Sequence, residues 1–266
     1  MSDPIPPPGP ADIARQFGEH AREYAMSRSH NEGHTRLLLL EHMQPVMDET
    51  MLDVASGPAP LGLAFAPYVA RVIALDLAPP MLHAARLTAR RTEVANLGVV
   101  AGDAHRLPFR DRSLDLVGSR AAPHHFAEFD RAVAEMARVL RRGGRLGIAD
   151  GTVPDDPELD TFINALDALH DPTTVRNHSP GEWRSALERA GLRLDFIEEQ
   201  AYDLAEGRSL TEWMARSGAA SGVVAEAKRM LLTAPKRVKD YLRVRTAGDD
   251  LTFDLPKIVL TAMKTE

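Results

Sequence analysis

From Thr50 onward short apolar runs recur along the chain: MLDVA, RVIAL, LGVVA, LDLVG and RLGIA. They are continuous rather than alternating, the pattern of strands buried on both faces. Amphipathic segments separate them. Met81–Arg91 is one, and Phe126–Leu140 is clearer, with Phe129, Val133, Met136, Ala137 and Leu140 on one face. The second is expected to end in Arg141-Arg142-Gly143-Gly144, where cations complement a helix C-terminus and glycine supplies a left-handed cap. Strand–helix alternation of this kind predicts a doubly wound, parallel α/β sheet.

The flanks read differently. Residues 1–10 include PIPPPGP and predict a flexible tail. Asp12–Tyr24 and Thr35–Met43 read as helices joined by the polar SRSHNEGH, and Leu37–Leu40 as one buried helix face. Further on, Pro154–His170 reads as helical. Ser179-Pro180-Gly181-Glu182 has capping-box spacing and opens a helix to Arg189 that Gly191 closes, followed by a strand over Leu192–Glu199. Ser209–Ala234 reads as helix broken near Gly218, with Trp183 and Trp213 as core residues. The C-terminal LTFDLPKIVLTAMK gives either a strand pair or a loop and one strand. No repeat or sharp internal boundary divides the chain.

Composition narrows the function. The 266 residues are 44% hydrophobic and 26% charged, with a net charge of −6. Nucleic-acid binding calls for a basic surface, so a small-molecule partner is expected. With no cysteine there are no disulfides, thiolate nucleophiles or thiolate metal sites, which fits a reducing cytoplasm. No H-x-x-x-H or H-E-x-x-H spacing suggests a metal site, no signal peptide opens the chain, and no apolar run is long enough to span a bilayer.

The stretch LDVASGPAP occupies the first β–α turn, where an open α/β sheet receives anionic ligand groups. It lacks both G-x-G-x-x-G and Gly-Lys-Ser/Thr, which disfavours dinucleotide and P-loop sites. Asp53 lies inside the first run, Asp76 closes the second, and Asp103 follows the third. In parallel strands Asp76 and Asp103 would flank the crevice. The former can accept both hydroxyls of a ribose and the latter an adenine amino group. Taken singly, each acid is better explained as a turn or cap aspartate, and it is the three at matching strand ends that point to a ligand. His124 and His125 follow the fourth run, where one imidazole can act as a base while the other packs or caps the next helix.

The series LDVASG, ALDLAPPML, GDAHRLPF, LDLVGSR, HHF and EMARVLRRGGRL resembles the class I S-adenosylmethionine-dependent methyltransferases, nearest the ubiquinone/menaquinone-biosynthesis branch. The similarity runs from about Phe17 to Gln200 and includes the terminal strand. It implies a Rossmann-like seven-stranded sheet, mostly parallel with the last strand antiparallel. The helical lid spans residues 11–48 and the catalytic domain 49–266, with a lid-like insertion at about 202–250. It also implies S-adenosylmethionine as cofactor and S-adenosylhomocysteine as product. The expected cofactor contacts are Asp53, Ala55, Ser56, Gly57, Asp76, Leu77, Met81, Gly102, Asp103, Ala104 and Ser119, with Tyr24 and His30 from the lid. His124 or His125 would remove the acceptor's proton.

The first loop departs from the family pattern, which carries more glycine. Ala55 fits if its backbone is extended, whereas Ala59 is burdened wherever φ is positive. Pro58 and Pro60 each remove an N–H donor, at little cost if one opens a helix. The expected activity is methyl transfer to O, N or C of a small molecule by a cytoplasmic monomer or homodimer. The alternatives are a non-methylating enzyme using the same cofactor, such as a cyclase, and a degenerate non-catalytic binding subunit.

Overall fold

A computed structural model describes residues 9–19, 33–202 and 207–265. The main sheet contains β1 (Thr50–Val54), β2 (Arg71–Asp76), β3 (Leu97–Ala101), β4 (Leu114–Arg120), β5 (Leu140–Gly151), β6 (Leu192–Ala201) and β10 (Lys257–Lys264). Its order is β3-β2-β1-β4-β5-β10-β6, and β10 runs antiparallel to both neighbours. Continuous apolar sequence follows from this placement: Met51–Val54 and Leu116–Ser119 are buried because helices cover both faces of the central strands. Chain order reverses between β1 and β4, which opens a crevice beyond their carboxyl ends.

The covering helices are α1 (Pro10–Glu19), α2 (His34–Met43), α3 (Pro60–Phe65), α4 (Pro79–Arg91), α5 (Phe129–Val139), α6 (Pro157–His170) and α7 (Pro180–Arg189). Helix α7 opens on the expected capping box: Glu182 N–H donates to Ser179 Oγ, and Ser179 N–H donates to Glu182 Oε2. Gly191 closes it at φ +69°. In α2 only Leu39 of the leucine run is fully buried, and Leu37 is 52% exposed. Four consecutive leucines sweep round a helix instead of sharing one face.

Arg141–Gly144 do not cap α5. The helix ends at Val139 and β5 begins at once, pairing Leu140 with Leu114 and Arg145 with Leu116. Four residues of β5 therefore face Asp115 alone, forming a bulge. Arg141 pairs there with Asp115 and Glu49, and a Cβ on Gly144 would come within 2.8 Å of the Arg141 carbonyl. Helix α6 starts at Pro157, later than expected, because the Asp156 side chain accepts from Glu158 and Leu159 N–H and fixes its first turn.

The segment after β6 builds a second layer. β7 (Arg208–Ser209), β9 (Asp250–Phe253) and β8 (Arg245–Ala247) form a small antiparallel sheet in that order. Helices α8 (Leu210–Arg216), α9 (Ser221–Thr233) and α10 (Lys236–Tyr241) pack with α6 around Trp213, Leu231, Val238 and Phe253. Gly218, at φ +69°, lies in the break between α8 and α9. The terminal LTFDLPKIVLTAMK thus supplies two strands, one to each sheet.

Candidate functional site

The crevice beyond β1 and β4 takes in about 820 Å³ of space, part of it open to solvent. Its lining comes from α1 (Ile13, Phe17), the first loop (Ala55–Pro58), Asp76, Leu77, Met81, Gly102–His105, the end of β4 (Arg120–Ala122), His125 and Phe126. Asp76 sits at the end of β2, where Oδ2 accepts the Gly57 N–H at 2.7 Å and Oδ1 the Ala78 N–H at 2.8 Å. A carboxylate has about four acceptor positions, so two hydroxyls can still be received. Burial drives the Asp76 carboxyl above the ordinary carboxylate value, opposed by the N–H groups of Ala78 and Gly57. Past β3, Asp103 Oδ1 accepts from the backbone N–H of His105 and from its Nδ1 at 2.6 Å. His105 Nε2 in turn accepts the Glu128 N–H ahead of α5. Apolar Leu77, Met81, Ala104 and Phe126 flank these acids. Acceptors for hydroxyl and amino groups between apolar walls fit the ribose and adenine of S-adenosylmethionine.

A polar network with two histidines adjoins the cavity. His124 and His125 occupy a short 3₁₀ turn (Pro123–His125) after β4, their ring centroids 4.0 Å apart. His124 Nδ1 lies 2.7 Å from Asp150 Oδ1, and the other oxygen of Asp150 accepts the His124 backbone N–H. Burial pulls the His124 imidazole down, but the Asp150 carboxylate more than reverses this and holds it above the ordinary histidine value. His125 Nδ1 is 3.0 Å from the Thr173 carbonyl. A carbonyl only accepts, so Nδ1 carries the proton and Nε2 the lone pair. Thr173 Oγ1 donates to Asp171 Oδ1 at 2.6 Å, which extends the chain of hydrogen bonds. Burial, reinforced by the charge on His124, pushes His125 down to about 4. Phe17 of α1 meets the His125 ring edge-on at 4.9 Å.

The structure gathers Ala55, Ser56, Gly57, Asp76, Leu77, Met81, Gly102, Asp103, Ala104 and His125 around this one crevice. Others lie elsewhere. The Asp53 carboxylate turns away to accept the Gly62 N–H at 2.8 Å, anchoring α3, and burial pushes it up to about 7. Ser119 is fully buried and donates to the Val54 carbonyl. His124 stands behind His125 and is absent from the lining. Tyr24 and His30 fall outside the described residues. The backbone of Ala55 is not extended: φ is +52°, and Ala59 is left-handed too at +61°. Strand β1 must turn sharply into α3 here, and Pro60 takes the first helical position. Arg120, His105, Asp150, Asp171 and Thr173 escaped the sequence reading. Only a sheet register could have linked Asp150 to His124, and no spacing signal joins Thr173 to His125.

Among the described residues no helix is long and apolar enough to cross a membrane, and no group of three His, Cys, Asp or Glu side chains could hold a metal ion.

Residues 52–148 match the family model described as a methyltransferase domain. The chain is 30% identical to the uncharacterized methyltransferase YcgJ of Bacillus subtilis, across 93% of this chain and 97% of that one. A demethylmenaquinone methyltransferase of Thermobifida fusca is 32% identical over 53% of this chain and 61% of its own. The crystal structure of the Bacillus subtilis YcgJ protein superposes with a TM-score of 0.82 at 29% identity, covering 88% of this chain and 99% of that one. With a methyltransferase relative matched at 30% identity across nearly its whole length and a methyltransferase domain model over residues 52–148, the chain belongs to the class I S-adenosylmethionine-dependent methyltransferases.

Proposed function

We propose that the protein methylates an O, N or C atom of a small organic molecule in the cytoplasm, with His125 receiving the proton that the acceptor releases. The observation that carries this reading is the position of His125: it lines the same crevice as Asp76 and Asp103, with Nδ1 tied to Thr173. Bound S-adenosylmethionine supplies a methyl group on a sulfonium, an electrophile that needs no further activation.

The chain's own residues then have four tasks. Asp76 and Asp103 orient the ribose and adenine, and Leu77 and Met81 wall the site. His125, neutral near pH 7, offers Nε2 to a proton that becomes acidic as the acceptor atom is alkylated. His124, fixed by Asp150 beside it, is held above the ordinary histidine value by that carboxylate, which favours its cationic form next to the acceptor. Helix α1 and the layer spanning β7 to β9 serve as lids that exclude water. The net charge of −6 supports a small-molecule acceptor over nucleic acid. The demethylmenaquinone relative makes quinol-like rings a first choice to test.

The test is incubation with methyl-labelled cofactor and a panel of quinols, phenols, carboxylic acids and amines, read by product mass. Label in one acceptor class is expected. Cofactor binding with no labelled product anywhere in the panel would instead favour the non-methylating or non-catalytic alternatives.

A further inference from the structure

One imidazole in the crevice lining has no part in the steps above. His105 follows Asp103 by two residues in the connection after β3, and both of its ring nitrogens are engaged. Nε2 accepts the Glu128 N–H at 3.2 Å, so the ring proton is on Nδ1. Nδ1 then donates to Asp103 Oδ1 at 2.6 Å, and the His105 backbone N–H donates to the same oxygen at 2.9 Å. Glu128 immediately precedes α5, so the start of that helix sets the tautomer through which His105 grips the acid. Phe126 meets the ring edge-on, with the centroids 5.8 Å apart.

Both bonds fall on Oδ1. Among the described residues Oδ2 has no hydrogen-bond partner, and the Asp103 side chain, 38% exposed, lines the crevice. The backbone N–H alone would let the carboxylate turn about its Cβ–Cγ bond and exchange its two oxygens. With the imidazole added, Oδ1 is held and Oδ2 is the atom left to a ligand. An ionised carboxylate only accepts. It therefore receives the exocyclic amino group of adenine and opposes the carbonyl oxygen that hypoxanthine carries in the same place. Resting on the placement of adenine at Asp103 above, we infer that His105 is a positioning residue that sets the base selectivity of the crevice. It presents Oδ2 of Asp103 to the adenine amino group, and so admits an adenine nucleoside over its oxo counterpart. Because the same ring accepts from Glu128, this selectivity is tied to where α5 begins.

Calorimetry with S-adenosylhomocysteine and S-inosylhomocysteine, whose bases carry an amino and an oxo group respectively, separates this role from mere folding. The wild type should prefer the former by roughly 30-fold, the size of one hydrogen bond to a charged group. His105→Ala should reduce the preference to about threefold, and Asp103→Ala should abolish it. His105→Asn, whose amide can place a donor near the site of Nδ1, should keep it above about tenfold. Each preference is a ratio on one preparation, so a shared loss of folded protein cancels. Should the alanine variant fail to fold, His105→Phe decides, since it keeps a ring against Phe126 and removes both nitrogens. Preference lost in Asp103→Ala but undiminished without the imidazole overturns the role of His105 and leaves adenine on Asp103. A loss in His105→Asn equal to that in His105→Ala also overturns it, because the ring then acts by packing alone. Preference kept in Asp103→Ala, or absent from the wild type, refutes the placement of adenine itself. Failure of the wild type to bind either ligand refutes the cofactor reading.

Discussion

The two halves of the crevice are built by different means. On the β1–β2–β3 side, each polar group lies at or just after a strand end and bonds close by in space: Asp76 with Gly57 and Ala78, Asp103 with His105. On the β4–β5 side, the working groups come from distant parts of the chain, as His124 meets Asp150 and His125 meets Thr173. The first half is a set of acceptors for a ligand's hydroxyl and amino groups. The second is a pair of adjacent imidazoles driven apart in acidity by their surroundings, an arrangement suited to handling protons. Changes in the first half should therefore read out in cofactor affinity, and changes in the second in turnover.

The sharpest division comes from His125→Ala, expected to lower kcat by about a thousandfold while the affinity for S-adenosylhomocysteine stays within threefold. Steady-state rates set against calorimetry on the same preparation check it, and a matching fall in affinity would erase the division.

Next in size is an acid effect confined to the histidine half. His125 titrates near 4 when folded and near 6.5 in the unfolded chain. Between those values the unfolded chain binds more protons, so stability is full above about pH 6.5 and declines as pH falls towards 4, by about 3 kcal/mol. Urea melts of wild type and His125→Gln at pH 7.5 and 4.5 isolate this share, which the variant should lack. His124 runs the other way. Its raised value gives stability that is present at low pH and fades as pH climbs through it, a fading that Asp150→Asn should remove.

On the cofactor side, Asp76→Ala should weaken S-adenosylhomocysteine binding roughly 100-fold, since it removes ribose acceptors and frees two loop N–H groups together. The smallest effect is one of stability. Ala55→Gly should stabilise by about 1 kcal/mol, or roughly 2–4 °C in Tm, because its backbone is left-handed. Ala59→Gly should come out near neutral. It relieves similar strain but deletes a fully buried methyl worth about 0.8 kcal/mol. A large gain at Ala59 would show that strain outweighs packing in this loop.

Much of this was legible in the chain. Runs such as RVIAL and LDLVG announced buried parallel strands because a strand covered on both faces needs no polar alternation, whereas LGVVA forms the edge strand β3, in which no residue is buried. Asp76 and Asp103 could be placed because strand ends fix where side chains emerge. The RRGG segment misled, since its glycines serve a bulge opposite Asp115 and not a helix cap, and both uses favour the same residues. Asp53 differs in another way: it lies inside the strand as read, but its buried carboxylate accepts the Gly62 N–H of α3 and does not join the crevice lining.

The sequence by itself determined the strand–helix alternation, the acids at the strand ends and the histidine pair, because those follow from local periodicity and from where strands stop. Only the tertiary structure decided that Ala55 and Ala59 turn left-handed, that the N–H groups of Ser56, Gly57 and Ala59 are engaged, that Arg120 joins the first loop in the crevice lining, and that Thr173 and Asp150 fix the two imidazoles. These are contacts between residues far apart in the chain. They exist only once a packed sheet has brought the segments within hydrogen-bonding distance, and no spacing along the sequence encodes that distance.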